Sequence, residues 1–142
     1  MGCDIHAHYE IKVKGRWVYY TQANITRNYI FFAKLANVRN YFEIYYIDEP
    51  RGLPEDITEL VKIHSDYMVA DAHSHSCISS KEYAQVMEFV DNFDYGNDTK
   101  RSVYNWDSEP FLFGNGFESF HKYREDYPEF LEDFRFIFWF DN

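Results

Sequence analysis

The sequence predicts an α+β fold, in which a mainly antiparallel sheet contains both terminal strands and two or three helices pack on one face. Three observations carry this prediction. The first residues alternate apolar and polar side chains, the last residues form a nearly continuous apolar run, and apolar residues recur at helical spacing between them. Aromatic residues make up 21% of the 142 residues, which predicts a large packed core.

The N-terminal part of the chain predicts a hairpin and then a helix. Residues 3–13 alternate as a half-buried strand does, and Lys14-Gly15-Arg16 predicts a turn into a second strand at residues 17–21. Apolar residues then recur at helical spacing after Asn28. Residues 41–47 are rich in aromatic and branched side chains, which favours a strand, although their period is ambiguous.

Further helices and a last strand are predicted in the second half. Pro54 and the two acidic residues after it indicate a helix start. Ser79 and Glu82 have the spacing of a capping box, so another helix is expected to begin directly after Ser79. A short helix around residues 118–124 and an apolar strand at residues 134–140, buried on both faces, complete the predicted elements.

The chain is interpreted as a single domain, residues 1–142, with a long polar and aromatic loop or flap at about residues 91–116. A stretch of that length and composition favours a binding role over a plain connection.

Charge and composition exclude several classes of function. A formal net charge of -10 argues against non-specific nucleic-acid binding, which needs lysine and arginine to displace counterions from phosphates. The sequence has no apolar run long enough to span a membrane. The two cysteines, Cys3 and Cys77, each lie beside a histidine motif, which favours reduced thiols or metal ligands over a disulfide framework. We therefore expect a reducing cytoplasm as the location.

The pattern Asp-x-His-x-His occurs twice, as Asp4-Ile5-His6-Ala7-His8 and as Asp71-Ala72-His73-Ser74-His75. If each copy is a strand, the two-residue period puts its acid and both imidazoles on one face. Imidazole with carboxylate suits a divalent transition metal, with zinc or manganese favoured. The predicted ligands are Asp4, His6, His8, Asp71, His73 and His75.

Two interpretations of these motifs stay open. If the copies converge, they form one metal site or a close pair of sites that activates water, with Asp4 and His73 as catalytic candidates. Alternatively, the histidines are ordinary polar residues of a solvated sheet face, and Asp4 and Asp71 orient one imidazole each by hydrogen bonding. Arg39 and Arg51 lie in turn-like contexts and are candidate anion-binding residues if they approach the site. His64 falls on the apolar stripe of a predicted helix and is interpreted as core-facing.

The first motif, Asp4 to His8, resembles the opening metal motif of the polymerase-and-histidinol-phosphatase (PHP) phosphoesterases and of amidohydrolases. The resemblance covers a handful of residues. It implies catalytic metal binding by the histidines, and it implies nothing about the fold, because those enzymes are considerably longer barrels.

More of the chain resembles a group of small uncharacterised bacteriophage and prophage proteins. The resemblance covers the start Met-Gly-Cys-Asp-Ile-His and the end Phe-Trp-Phe-Asp-Asn, with the segments 27–29, 38–40, 50–54 and 73–76 between them. It implies a viral or prophage origin and action inside a bacterium.

Together these observations predict a metal-binding phage or prophage protein that is a metal-dependent hydrolase, specifically a phosphoesterase acting on a small phosphorylated molecule or nucleotide. The alternative is a non-enzymatic accessory protein that binds a host protein or sequesters a signalling nucleotide to counter host defence.

Overall fold

The computed structural model of the chain describes residues 2–94 and 115–142. Within these residues, four strands and four helices follow one another in mixed order. The strands are β1 (Asp4–Val13), β2 (Arg16–Ala23), β3 (Ala72–Ser79) and β4 (Leu131–Asp141). The helices are α1 (Tyr29–Ala36), α2 (Glu59–Tyr67), α3 (Ser80–Asp91) and α4 (Asn115–Asp126).

The strands form one antiparallel sheet in the order β2-β1-β4-β3, so the first and last strands are its two central members. This confirms the predicted fold class and the prediction that both terminal strands lie inside the sheet. The hairpin between β1 and β2 turns at Lys14 and Gly15, which both have positive φ. Glycine accepts this conformation without the steric cost that a Cβ would bring.

Strand β4 is buried on both faces, as its nearly continuous apolar sequence predicts. Its even-numbered phenylalanines, 134 to 140, face the helices α1, α3 and α4 and form the main core with the odd-numbered side chains of β1. Ile137 and Trp139 point to the opposite face, where Val61 of α2 packs on them. Three helices therefore cover one face, and α2 covers part of the other.

Helix starts follow the capping signals in the sequence. The Asn28 side chain accepts hydrogen bonds from the backbone N–H groups of Ile30 and Phe31 at the start of α1. Ser79 and Glu82 form the predicted capping box of α3. Because the first N–H groups of a helix have no partner within it, these side chains fix where each helix begins.

A buried ion pair fastens α2 to the sheet. Glu10 on β1 is fully buried and lies 2.6 Å from the guanidinium of Arg135 on β4. The other Glu10 oxygen accepts the backbone N–H of Thr58, the N-cap residue of α2, at 2.8 Å. Arg135 also donates to Asp56, and Trp17 stacks on its guanidinium at 4.1 Å. The charges of Glu10 and Arg135 are thus satisfied on several sides.

The structure corrects two expectations, and a third falls mostly outside the residues that the structure describes. Residues 41–47 form no strand, since Ile44 and its neighbours are held by turn contacts such as those of the Asn40 amide. Helix α2 begins at Glu59 rather than at Pro54, because Arg135 holds Asp56 in the segment before the helix. Most of the predicted loop at 91–116 falls in residues 95–114, outside the described residues.

None of the helices in the described part of the chain is long and apolar enough to cross a membrane.

Replacing Glu10 by alanine is expected to lower the free energy of unfolding by about 3–5 kcal/mol, because it leaves the Arg135 charge buried without its main partner. The double variant Glu10→Leu with Arg135→Met removes both charges and is expected to lose clearly less than Glu10→Ala. Urea unfolding of the variants measures this. A double variant less stable than Glu10→Ala would contradict the account.

Candidate functional site

The face of the sheet under α2 carries four histidines arranged around Trp139. The indole is fully buried, and its centroid lies 6.1 Å from the His6 ring, 5.7 Å from His8, 5.0 Å from His64 and 5.7 Å from His75. We call these four residues the histidine cluster. They come from three elements, so the cluster exists only in the folded chain.

Strand register explains how β1 contributes to the cluster. His6 lies opposite Trp139 and His8 opposite Ile137 in the β1–β4 pairing. Because side chains alternate along a strand, both imidazoles point to the face that α2 covers, as predicted for the first motif. His64 reaches them from α2, one turn after the buried Val61. The helical spacing that predicted a core-facing His64 therefore places its imidazole next to His6 and His8.

His8 and His64 form the closest pair of the cluster. Nε2 of His8 lies 2.8 Å from Nδ1 of His64, and their ring planes are at 89°. Nδ1 of His8 shares a hydrogen bond of 2.9 Å with the hydroxyl of Tyr19 on β2. Both nitrogens of the buried His8 are therefore engaged, and the contact with Tyr19 orients the ring.

His6 and Asp141 form a second pair next to the first. Nε2 of His6 donates to Oδ2 of Asp141 at 2.7 Å, and the two side chains are 23% and 25% exposed. The His6 ring centroid lies 5.6 Å from that of His64. A carboxylate that accepts from one ring nitrogen fixes the tautomer and leaves the other nitrogen free to accept a proton. This pair reaches solvent, whereas His8 does not.

Burial keeps most of the cluster neutral. The pKa of His8 is lowered to about 4, mainly by desolvation and in smaller part by the neighbouring imidazoles of His64 and His6. Burial is also the main cause that lowers the pKa values of His64 and His75. At neutral pH these imidazoles are uncharged, which is the form that binds a metal ion.

The second motif does not present its residues on one face, and the expectation that it would is wrong. Strand β3 shifts register between His73 and Ser76, with Ser74 at φ +57°. His73 consequently stacks on Phe140, which contacts α1, whereas His75 stacks on Trp139. One extra residue in a strand reverses the alternation.

Of the two motif aspartates, one pairs with an arginine and the other faces solvent. Asp4 accepts from Nε and Nη2 of Arg27 at 2.9 and 2.8 Å. Asp71 is exposed at the left-handed position before β3, with φ +62°. His73, predicted as catalytic together with Asp4, bonds to the Ser74 hydroxyl and to Asn142.

The two predicted anion-binding arginines are engaged elsewhere. Arg51 donates to both carboxylate oxygens of Glu82, to Asp48 and to the backbone oxygen of Cys77. The carboxylates of Glu82 and Asp48 raise the pKa of Arg51 above its ordinary value. Arg39 donates to Tyr41 and stacks on Tyr29, which belongs to the main core. Neither arginine lines the histidine cluster.

Both cysteines are free, as expected. Burial raises the pKa of Cys77 to about 11, so its thiol is protonated at neutral pH. A thiol in that state is a poor nucleophile. The chemistry of this face therefore belongs to the imidazoles.

Among the residues that the structure describes, no group of three or more His, Cys, Asp or Glu side chains is arranged to hold a metal ion. The arrangement that is present consists of two adjacent pairs, His8–His64 and His6–Asp141. Sequence reasoning included His6 and His8 but missed Asp141, Tyr19 and the site role of His64. Side chains alternate along the last strand, so Asp141 lies on the same face as Trp139. This alternation is the sequence signal that could have identified Asp141.

Comparison of the chain with protein-family models, with curated proteins and with solved structures finds no match.

Burial of His8 predicts a loss of stability in acid. The unfolded chain binds a proton at His8 near pH 6.5, whereas the folded chain does so only near pH 4. The stabilisation that comes from keeping His8 neutral is therefore fully present above pH 6.5. As the pH falls from 6.5 to 4, the free energy of unfolding decreases by about 3 kcal/mol from this cause. Urea unfolding at pH 7.0 and 4.5 measures it. His8→Gln is expected to lose less stability on acidification than the wild type.

The matched control is His121→Gln, which changes an exposed histidine on α4. This variant is expected to keep the wild-type dependence on pH. Equal acid losses in wild type and His8→Gln would show that His8 is not held neutral by the fold.

Proposed function

We propose that this protein is a metal-dependent phosphoesterase whose site is the histidine cluster. The observation that carries the proposal is the position of a neutral imidazole pair, the buried His8 and the half-buried His64, beside a partly exposed imidazole–carboxylate pair, His6–Asp141. The first pair has the chemistry of metal ligands and the second that of a general base. The ring centroids of His6 and His64 are 5.6 Å apart, so one small substrate can reach both pairs.

The His8–His64 pair fits a zinc or manganese ion after a small displacement. Metal–nitrogen bonds of about 2.1 Å in a tetrahedral site separate two ligand nitrogens by about 3.4 Å. The nitrogens are 2.8 Å apart, so an opening of less than about 1 Å accommodates the ion. The α2 N-terminus stays anchored during such a movement, because Glu10 holds Thr58 there.

Tyr19 supports this use of His8. In metal sites the second ring nitrogen of a histidine ligand is hydrogen-bonded, which fixes its orientation and tautomer. The Tyr19 hydroxyl holds Nδ1 of His8 and leaves Nε2 directed at His64. An incomplete protein ligand set leaves positions for water and substrate, as hydrolysis requires, and the adjacent His6 is kept for proton transfer.

The His6–Asp141 pair supports hydrolysis rather than binding alone. An imidazole oriented by a carboxylate takes a proton from water as it attacks an ester, and proton transfer of this kind contributes about 10²–10⁴-fold to a rate. His6 is reachable from solvent, which substrate access requires. On this geometry, His6 and Asp141 are better catalytic candidates than Asp4 and His73.

The proposed substrates are small phosphate esters, including nucleotides, because the net charge of -10 disfavours long anionic chains. The resemblance to phage and prophage proteins supports a bacterial cytoplasm as the place of action.

The metal is tested by dialysing the purified chain against zinc or manganese and measuring bound metal. We expect about one ion per chain in the wild type and at least a tenfold loss of affinity in His8→Gln and in His64→Gln. His73→Gln is the matched control, because it removes a motif histidine on the other face, and it is expected to bind normally. Metal binding that survives both cluster variants but fails in His73→Gln would contradict the site.

Activity is tested on the metal-loaded protein with a panel of phosphomonoesters and phosphodiesters that includes cyclic nucleotides. We expect Asp141→Asn to lower kcat by about 10²-fold or more while metal content stays at the wild-type level. Metal-loaded protein that binds one of the nucleotides without cleaving it, with Asp141→Asn binding equally well, would instead favour the nucleotide-sequestering accessory protein.

A further inference from the structure

A small cavity lies between helix α4 and the β1–β2 hairpin, on the face of the sheet opposite the histidine cluster. Its volume is about 230 Å³, and its walls include five aromatic residues: Tyr20, Phe120, Tyr123, Tyr127 and Phe130. Phe120 is buried, whereas Tyr123, Tyr127 and Phe130 are 46%, 54% and 46% exposed and form the mouth. We call this cavity the aromatic pocket.

Hydrogen bonds hold the walls of the aromatic pocket in place. The backbone N–H of Tyr127 donates to the carbonyl of Tyr123 at 2.7 Å, and the carbonyl of Tyr127 accepts from Phe130 at 3.1 Å. On the hairpin side, the Glu132 carboxylate accepts the backbone N–H of Gly15 at 2.8 Å. Because these contacts fix the walls before any ligand arrives, binding there costs little additional ordering of the protein.

The lining side chains turn only apolar surface toward the aromatic pocket. An apolar cavity of roughly 150 Å³ stays dry and accepts a ligand the size of benzene. The aromatic pocket is larger, at about 230 Å³, so it has room for one or two fused rings. Aromatic walls favour an aromatic ligand, because pairs of rings attract each other in offset and edge-to-face arrangements.

Two cations stand over the aromatic walls. Lys14 Nζ lies 5.7 Å from the ring centroid of Phe130, and the guanidinium carbon of Arg124 lies 5.8 Å from that of Phe120. In the described part of the chain, neither cation forms an ion pair, whereas several arginines elsewhere bind carboxylates closely. Unpaired cations beside an apolar cavity, in a chain of net charge -10, favour a ligand that carries an acidic group.

We propose that the aromatic pocket binds a small aromatic acid, with the ring system inside the cavity and the carboxylate at the mouth, toward Lys14 and Arg124. Ring burial supplies the attraction, and the two cations select an anion over a neutral or basic molecule of the same shape. This inference does not depend on the proposed phosphoesterase activity, because the pocket lies on the other face and contains no proposed ligand or base.

The class of ligand is tested by titrating the full chain with indole-3-acetate, in buffer with a chelator, and following binding by protein NMR. We expect saturable binding with Kd of about 0.1–1 mM, which suits a ligand of this size. Tryptamine has the same ring and a positive charge in place of the carboxylate, and it is expected to bind at least tenfold more weakly. Equal affinities for the two probes, or no saturation by indole-3-acetate, would overturn the proposal.

Variants locate the binding. Ile11→Phe places a ring in the cavity and is expected to weaken binding of indole-3-acetate at least tenfold. Leu131→Phe fills the cavity from another wall, so the test holds if only one of these variants folds, which thermal unfolding shows. A folded cavity-filling variant that binds indole-3-acetate as the wild type does would contradict the site.

Charge variants test the role of the cations. Lys14→Gln and Arg124→Gln are each expected to weaken binding of indole-3-acetate by about threefold or more and to leave binding of neutral indole unchanged. The matched control is Lys122→Gln, which removes another exposed cation of α4, about 200° around the helix from Arg124. Lys122→Gln is expected to bind as the wild type does, and an equal loss in this control would refute the selection by Lys14 and Arg124.

Sedimentation equilibrium distinguishes this ligand from a second copy of the chain. Without probe, we expect an apparent mass of 17.2 kDa. Self-association that disappears in folded Ile11→Phe would show that another copy occupies the aromatic pocket, and this outcome would also overturn the proposal.

Discussion

The buried ion pair between Glu10 and Arg135 is the interaction on which the second face of the sheet depends. It joins the two central strands and, through Thr58 and Asp56, fixes the start of α2. Charges buried this deeply are tolerated only when their hydrogen-bonding capacity is satisfied, and the segment before α2 supplies the missing partners. The helix that carries His64 is thus positioned by the ion pair at its start and by the packing of Val61 further along.

Strand β4 separates a face packed by three helices from the face that carries the histidine cluster. On the helix-covered side its phenylalanines pack with α1, α3 and α4 into a core that contains the hydrogen-bonded Tyr9 and Tyr83 hydroxyls. On the other side α2 and the residues near it cover Ile137 and Trp139. The thinner layer leaves His64 and His75 half-buried beside Trp139, and this partial burial lowers the pKa values of both imidazoles.

The register shift in β3 separates two motifs that look alike in the sequence. The first copy lies on a regular strand and keeps both histidines on one face, whereas the left-handed Ser74 sends His73 and His75 to opposite faces. Trp139 stands on the strand between the copies and contacts histidines from both. The site is therefore organised around an indole ring and one helix, and not around the symmetry of the repeated pattern.

The sequence by itself determined the fold class, the hairpin, the helical segment after Asn28, the capped start of α3 and the central burial of the last strand, because each depends on local periodicity or a local hydrogen bond. It also identified His6 and His8 as neighbours on one face. Tertiary structure alone decided which other groups meet them. His64 and Asp141 lie 56 and 135 residues from their partners, and such contacts arise from strand order and from the anchoring of α2, which no local pattern encodes. Nothing in the sequence indicated the bulge at Ser74, because its left-handed backbone occurs at a residue that is not glycine.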